Sequence, residues 1–302
     1  MSAIKAVCCM YAALSLLCAA PGPAGAKEET MGKVKIGAME VFILSDGDRD
    51  LDAKLFLATD PDRRAAVEKI YPDGAAHNTL NVFLIKSGHR LILVDAGGGT
   101  VLGPNPGKLP EGLAQAGFAP ADITDVILTH AHRDHLGGLG PGGRQAFPQA
   151  VVHLAKPEYD FWMNPENEAK APERARPNFA IVRDMLNLYP GRVQTFEPGA
   201  ELFPGIATLP AYGHTPGHVA VLVGSQGQHL LIWGDLLHGL DLQLARPDMA
   251  IAFDIDPDLA VKSRQGLLAR AAKEKWLVSG AHVPGPKAYR IEAQGKGYVL
   301  VP

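Results

Sequence analysis

Cysteine is scarce: the 302-residue chain has three, Cys8, Cys9 and Cys18, all inside one apolar stretch near the start, AVCCMYAALSLLCAA. That stretch follows the positive Lys5 and precedes AGA before Lys27, the layout of a secretory leader covering residues 1–26. Leu17 is a poor small-residue match before Cys18, which argues against a lipid-anchored variant. A mature chain of residues 27–302 would then contain no cysteine, so neither a disulfide nor a thiolate metal ligand is available to it. The expected location is the periplasm or the outside of the cell, with no stable membrane insertion once the leader is gone. Removing the leader takes away Lys5 alone, leaving 28 basic and 32 acidic residues and a net charge of −4. No stripe of lysine or arginine is present, so nucleic acid and anionic membrane are poor partners. Low-complexity tracts and obvious internal repeats are also missing. The composition, 47% hydrophobic and 20% charged, is that of an ordinary globular domain.

What the chain does have is concentrated in LTHAHRDHLGG, residues 128–138, where His130, His132, Asp134 and His135 fall within six positions. A helix turns by about 100° per residue and would send His130 and His132 to nearly opposite sides. Extended chain puts residues two apart on one face, so His130, His132 and Asp134 converge if this segment is extended. The preceding DVIL reads as a buried strand, and the glycine-dense LGGLGPGG ends regular structure. Imidazoles and a carboxylate without thiolate suit zinc or another first-row divalent ion.

The rest of the chain reads as strands with outer helices. VKIGAMEVFILSDG, NTLNVFLIKSG and HRLILVDAGGG are strand-like, and KLPEGLAQAGF is a short helix. Residues 156–190 read as an irregular, partly helical insert. DPDLAVKSRQGLLARAAKEK is the clearest helix, capped by Asp256, with Pro257 in its first turn and Leu259, Leu267 and Leu268 at helical spacing. Three further apolar runs end in a ligand-type residue: ATLPAYGH at His214, HLLIWGD at Asp235 and WLVSGAH at His282. Each alone is weak, but together with the opening four they would fill two metal sites with room for water.

The H-x-H-x-D-H pattern followed by His214, Asp235 and His282 resembles the metallo-β-lactamase superfamily along nearly the whole mature chain. The likeness is greatest to its methyl parathion hydrolase and N-acyl-homoserine lactonase branch, through LVDAGGG, LTHAHRDHLGGL, HTPGHV, GDL and AHVPGP…EAQGKGYVLVP. Arg133 replaces the proline usual in the parathion enzymes, and Leu102 stands near where they carry an aromatic residue. The resemblance implies an α/β fold, a four-layer αββα sandwich over residues 27–302. It assigns one divalent ion to His130, His132 and His214 and a second to Asp134, His135 and His282, with Asp235 bridging. Zinc is the first expectation, with manganese, cobalt or iron as alternatives. The implied activity is hydrolysis of a small lactone, ester or phosphotriester by metal-activated hydroxide, with β-lactamase or thioesterase-type action on the same site as an alternative. A mononuclear iron persulfide dioxygenase and a non-catalytic metal-binding protein are the other readings. A homodimer is compatible with the resemblance.

Around these ligands stand residues with two readings each. Asp134 is a metal ligand that could also pass a proton to the leaving group. His238, three residues after Asp235, either donates a hydrogen bond to the reacting oxygen or is a satisfied core histidine. Asp95 either orients a ligand histidine or caps the glycine turn behind it. His218 braces the loop of His214. Trp162 and Phe179, in the insert, either wall a substrate pocket or anchor the insert to the sandwich.

Overall fold

The computed structural model describes residues 30–103 and 107–301; the expected leader, residues 1–26, lies outside them. Its backbone is two sheets face to face with helices outside. One sheet has seven strands in the order Met31–Ile36, Met39–Asp48, Thr79–Ser87, Arg90–Val94, Asp125–Ile127, Val151–Ala155 and Val193–Phe196. The other has five, Glu201–Phe203, Ile206–Pro210, Val219–Ser225, Gln228–Ile232 and Leu277–Ser279.

Side chains alternate across a strand, and that alternation builds the layers. Val41 and Ile43 of the second strand, with Phe83 and Ile85 of the third, point between the sheets and meet Val221, Val223, Leu230 and Ile232. Phe42, Leu44, Val82 and Leu84 point the other way, under the helices Leu109–Gln115, Lys156–Met163 and Arg176–Asn187. On the far side, Leu231, Trp233 and Val278 pack on the helices Leu240–Ala245 and Pro257–Lys273. With both faces buried, these strands read as continuous apolar runs rather than as alternating ones. The result is the expected αββα sandwich.

Two local expectations change, on the insert and on Leu259. The insert is mostly helical: Lys156–Met163, Pro165–Lys170 and Arg176–Asn187. Pro157, Pro165 and Pro177 sit in first turns, where a missing N–H costs nothing, so they start helices rather than break them. The helix Pro257–Lys273 is capped by Asp256, which accepts from Leu259 N at 3.0 Å. Leu259 itself is exposed, while Leu267 and Leu268 are buried. The tail is a hairpin, Arg290–Gln294 against Gly297–Val301. Among the described residues, no helix is long and apolar enough to cross a membrane.

The topology also decides where chemistry can sit. Arg90–Val94, Asp125–Ile127 and Val151–Ala155 run parallel, so their C-terminal ends share one edge. Gln228–Ile232 and Leu277–Ser279 are likewise parallel in the second sheet. Asp95, His130, Asp235 and His282 all lie just past the ends of such strands.

Candidate metal centre

After the strand Asp125–Ile127 the chain stays irregular through His132, whose extended backbone (φ −74°, ψ 155°) precedes the helical turn Arg133–Leu136. His130 and His132 therefore share a direction, as extended chain requires. Asp134 does not join them: the turn sends it, with His135, to a second group. The expected convergence of His130, His132 and Asp134 is corrected in this respect, because helix rather than strand begins at Arg133.

Two clusters of donor atoms result. One comprises His130, His132, His214 and Asp235, the other Asp134, His135, Asp235 and His282, and within each the donor atoms lie within 4.8 Å of one another. His132 Nδ1 is 3.0 Å from His130 Nε2 and 2.9 Å from His214 Nε2. Asp235 belongs to both clusters. Its Oδ2 lies 3.3 Å from His214 Nε2 and 3.6 Å from His130 Nε2. Its Oδ1 lies 2.9 Å from His135 Nε2 and 3.2 Å from His282 Nε2. Asp134 Oδ2 stands 3.9 Å from His135 Nε2 and 3.8 Å from His282 Nε2.

Three of these atoms crowd together without a hydrogen bond between them. His135 Nε2, His282 Nε2 and Asp235 Oδ1 are buried and have no hydrogen-bond partner, despite separations near 3 Å. Buried polar atoms are normally satisfied, so three orphans converging on one point are what ligands awaiting a cation look like. Charge states agree for part of the set. Burial pushes His130 down, and burial plus the neighbouring His214 pushes His132 to about 3, which keeps both as the neutral imidazoles that bind metals. Burial also opposes charge on His214, but hydrogen bonds to Asp235 and Asp254 outweigh it and raise the ring to about 9. Burial would raise Asp235, yet His135, His282, His238 and His130 together hold it well below the usual carboxylate range. A proton on His214 competes with a metal for the same lone pair.

Behind the donor atoms, the second nitrogen of several rings is tied down, which fixes which nitrogen faces inward. His135 Nδ1 donates to Asp95 Oδ2 at 2.8 Å, and Asp95 Oδ1 accepts from Thr129 N at 2.8 Å. His214 Nδ1 donates to Asp254 Oδ1 at 3.0 Å, and His282 Nδ1 to Thr79 O at 3.1 Å. His218 belongs to neither cluster. Its Nδ1 donates to Ala211 O at 2.8 Å and its Nε2 accepts from Asp235 N at 3.1 Å, so it braces the chain at Asp235 and the segment leading to His214.

The clusters open into a cavity of about 490 Å³ lined by His132, Asp134, Asp235, His238 and His282 on one side. Trp162, Phe253 and Ile255 supply apolar wall. His238 is buried, with Nε2 3.0 Å from Asp235 Oδ2, Nδ1 unpartnered, and its ring stacked on His282 at 5.0 Å. Trp162 is buried as well, edge-on to His132 with centroids 5.7 Å apart. Phe179 lies behind Trp162 at 4.7 Å in the helical core and is not part of the cavity lining.

Two buried carboxylates bonded to ligand residues or their loops escape the sequence reading. Asp254 follows the apolar MAIAF, the same run-then-ligand pattern that marked Asp235, so a signal was there. Glu158 sits in the charged insert, where an acidic residue reads as surface; it is fully buried and bonded to both ligand-bearing loops.

A two-sheet α/β sandwich with paired histidine–aspartate clusters at one edge defines a class of proteins built to hold two divalent ions side by side. This chain belongs to the metallo-beta-lactamase superfamily, whose family model matches residues 79–282. The N-acyl homoserine lactonase AiiA of Bacillus thuringiensis subsp. kurstaki is 25% identical over 173 residues, 56% of this chain and 60% of the relative. A probable metallo-hydrolase of Mycobacterium bovis (strain ATCC BAA-935 / AF2122/97) is 24% identical over 180 residues, 52% of this chain and 56% of the relative. The chain thus spans less than two thirds of the length of these curated relatives. Among solved structures, the hydrolase AbOPH of the beta lactamase superfamily superposes with TM-score 0.83 at 28% identity, over 92% of this chain and 98% of its own. AidC, a dizinc quorum-quenching lactonase in complex with its product, superposes with TM-score 0.81 at 28% identity, over 91% and 97%.

Proposed function

We propose that this protein is a dinuclear metal-dependent hydrolase of a small lactone, ester or phosphotriester. The observation that carries the reading is the shared carboxylate of Asp235, one oxygen turned to each donor cluster at the floor of an open cavity. His130, His132 and His214 would hold one ion and Asp134, His135 and His282 the other, with zinc the first choice. Such a pair supplies a water acidified to near neutral pH and Lewis acidity toward the reacting oxygen. The chain itself supplies the rest. Asp235 fixes the spacing of the two clusters. His238 faces the metal side through Nε2 and is placed to donate to the reacting oxygen. Asp134, the most open of the carboxylates in the clusters, takes up the proton destined for the leaving group. Trp162, Phe253 and Ile255 give the cavity an apolar wall that suits an acyl chain or aromatic group.

A lactone is the leading substrate, because AiiA and AidC are lactonases and the latter was solved with N-hexnoyl-L-homoserine. We infer also that the protein works outside the cytoplasm, on the strength of the leader-like residues 1–26. The deciding experiment loads purified protein with zinc or manganese and compares long-chain homoserine lactones, paraoxon-type esters and a β-lactam. Lactone turnover that disappears on chelation is the expected result; inactivity on every substrate with both ions bound would overturn the reading.

A further inference from the structure

The Glu158 side chain is completely buried, an arrangement rare for a carboxylate unless every lone pair is used. It accepts four hydrogen bonds. Oε1 takes Ala131 N at 3.0 Å and Trp162 Nε1 at 2.6 Å. Oε2 takes Thr215 Oγ1 at 2.7 Å and Gly217 N at 2.9 Å. All four partners donate, which suits a group that only accepts. Their positions in sequence matter more than their number. Ala131 lies between His130 and His132, and Thr215 and Gly217 follow His214. One carboxylate therefore ties together the two loops that bring the three imidazoles of one cluster to within about 3 Å. The approach is tight: a Cβ on Gly217 would overlap the backbone nitrogen of Glu158. A side chain at position 217 would force the loop carrying His214 away from the helix Lys156–Met163.

We propose that Glu158 is the positioning residue for the His130–His132–His214 metal site, so that the insert helix is part of the metal centre and not only a wall beside it. Since its hydrogen bond to Trp162 also fixes a cavity-lining ring that stands edge-on to His132, the helix couples the substrate wall to the same site. None of the four hydrogen bonds of Glu158 goes to Asp235 or to the Asp134–His135–His282 group, so the effect is one-sided. The proposal rests on the two-metal reading given above.

The test is a comparison of full-length wild type with Glu158→Gln, metal-stripped and then titrated with zinc in solution and in crystals at limiting zinc. A glutamine keeps the volume but turns an N–H₂ toward two donors. Wild type should take up two ions. Glu158→Gln should bind one of them 10–100-fold more weakly, with anomalous scattering showing the loss at His130–His132–His214 and not at the other cluster. Should Glu158→Gln fail to fold, Thr215→Val removes one of the four donors and should weaken the same site several-fold. Equal occupancy of both sites in either variant, with only the melting temperature lowered, overturns the proposal while leaving the two-metal reading intact. A wild type that binds no zinc overturns both.

Discussion

Asp95 Oδ2 lies 2.8 Å from His135 Nδ1, on the side of the ring opposite to Asp235. The Asp95 backbone occupies the left-handed region, at φ 63°, which few non-glycine residues adopt. Thr129 donates to it twice, from N at 2.8 Å and from Oγ1 at 2.9 Å to the other oxygen. A strained backbone held by its own carboxylate is the signature of a side chain whose direction is needed. Asp95 thus points His135 Nε2 at the cluster.

Asp95→Asn tests that relationship. Asparagine can present either an oxygen or an N–H₂ to His135, not an acceptor to both His135 and Thr129. The expected outcome is metal affinity 10–100-fold lower at the His135 site, with the His130 site little changed. Zinc titration of the stripped protein measures it. An unchanged affinity at both sites would show that Asp95 serves only the glycine turn.

Removing the metals should cost stability as well as activity. Without a cation, His135 Nε2, His282 Nε2 and Asp235 Oδ1 are left buried and unpaired. Ligand at a hundred times its dissociation constant stabilises the folded state by about 2.7 kcal/mol per site. Calorimetry with saturating zinc against excess chelator should therefore show a melting temperature higher by several degrees in zinc. Superimposable melts would mean that the clusters do not bind zinc in the folded state.

How much of this was readable beforehand depends on how local the signal was. The apolar runs that end in His214, Asp235 and His282, and the DVIL run that leads into His130, marked those residues, and the parallel strands put His130, Asp235 and His282 on one edge. The division of labour between His132 and Asp134 was not readable from spacing, because it hangs on one helical turn beginning at Arg133. Glu158 was invisible for a different reason. Three of its four partners lie 27, 57 and 59 residues away along the chain, and two of the four are backbone N–H groups, which carry no sequence signature. The insert misled because proline at a helix start and proline in a loop look alike in sequence.

His238→Phe separates two roles for that ring. Phenylalanine keeps the stacking on His282 and removes both nitrogens. If Nε2 donates to the reacting oxygen, kcat falls by about 100-fold while two zinc ions remain bound and KM moves little. If the ring instead only supports Asp235 Oδ2, zinc binding weakens along with kcat. Steady-state kinetics and metal content of the same preparation distinguish these, and an unchanged kcat/KM would remove His238 from the chemistry altogether.

Away from the cavity, Asp125 gives a prediction about acid. Its Oδ2 accepts from Arg90 Nη1 at 2.7 Å and from Thr124 Oγ1 at 2.8 Å, and its Oδ1 lies 2.9 Å from His153 Nε2. Burial alone would raise this carboxyl, but the bonds from His153, Thr124 and Arg90 outweigh burial and hold it below the ordinary carboxylate value. A group whose folded value is depressed adds stability above its unfolded value, near 3.9, and loses it as the pH falls through the folded one. Asp125→Asn keeps the shape and drops the charge, costing about 1–3 kcal/mol at neutral pH, since hydrogen bonds to a charged group are the stronger kind. The melting temperatures of wild type and Asp125→Asn should therefore differ by several degrees at pH 7 and draw together below about pH 4. Measuring the pair, rather than wild type alone, cancels the protonation of the metal-site carboxylates, which both proteins share. A gap that stays constant from neutral pH down to acid unfolding would mean that Asp125 contributes through packing and not through its charge.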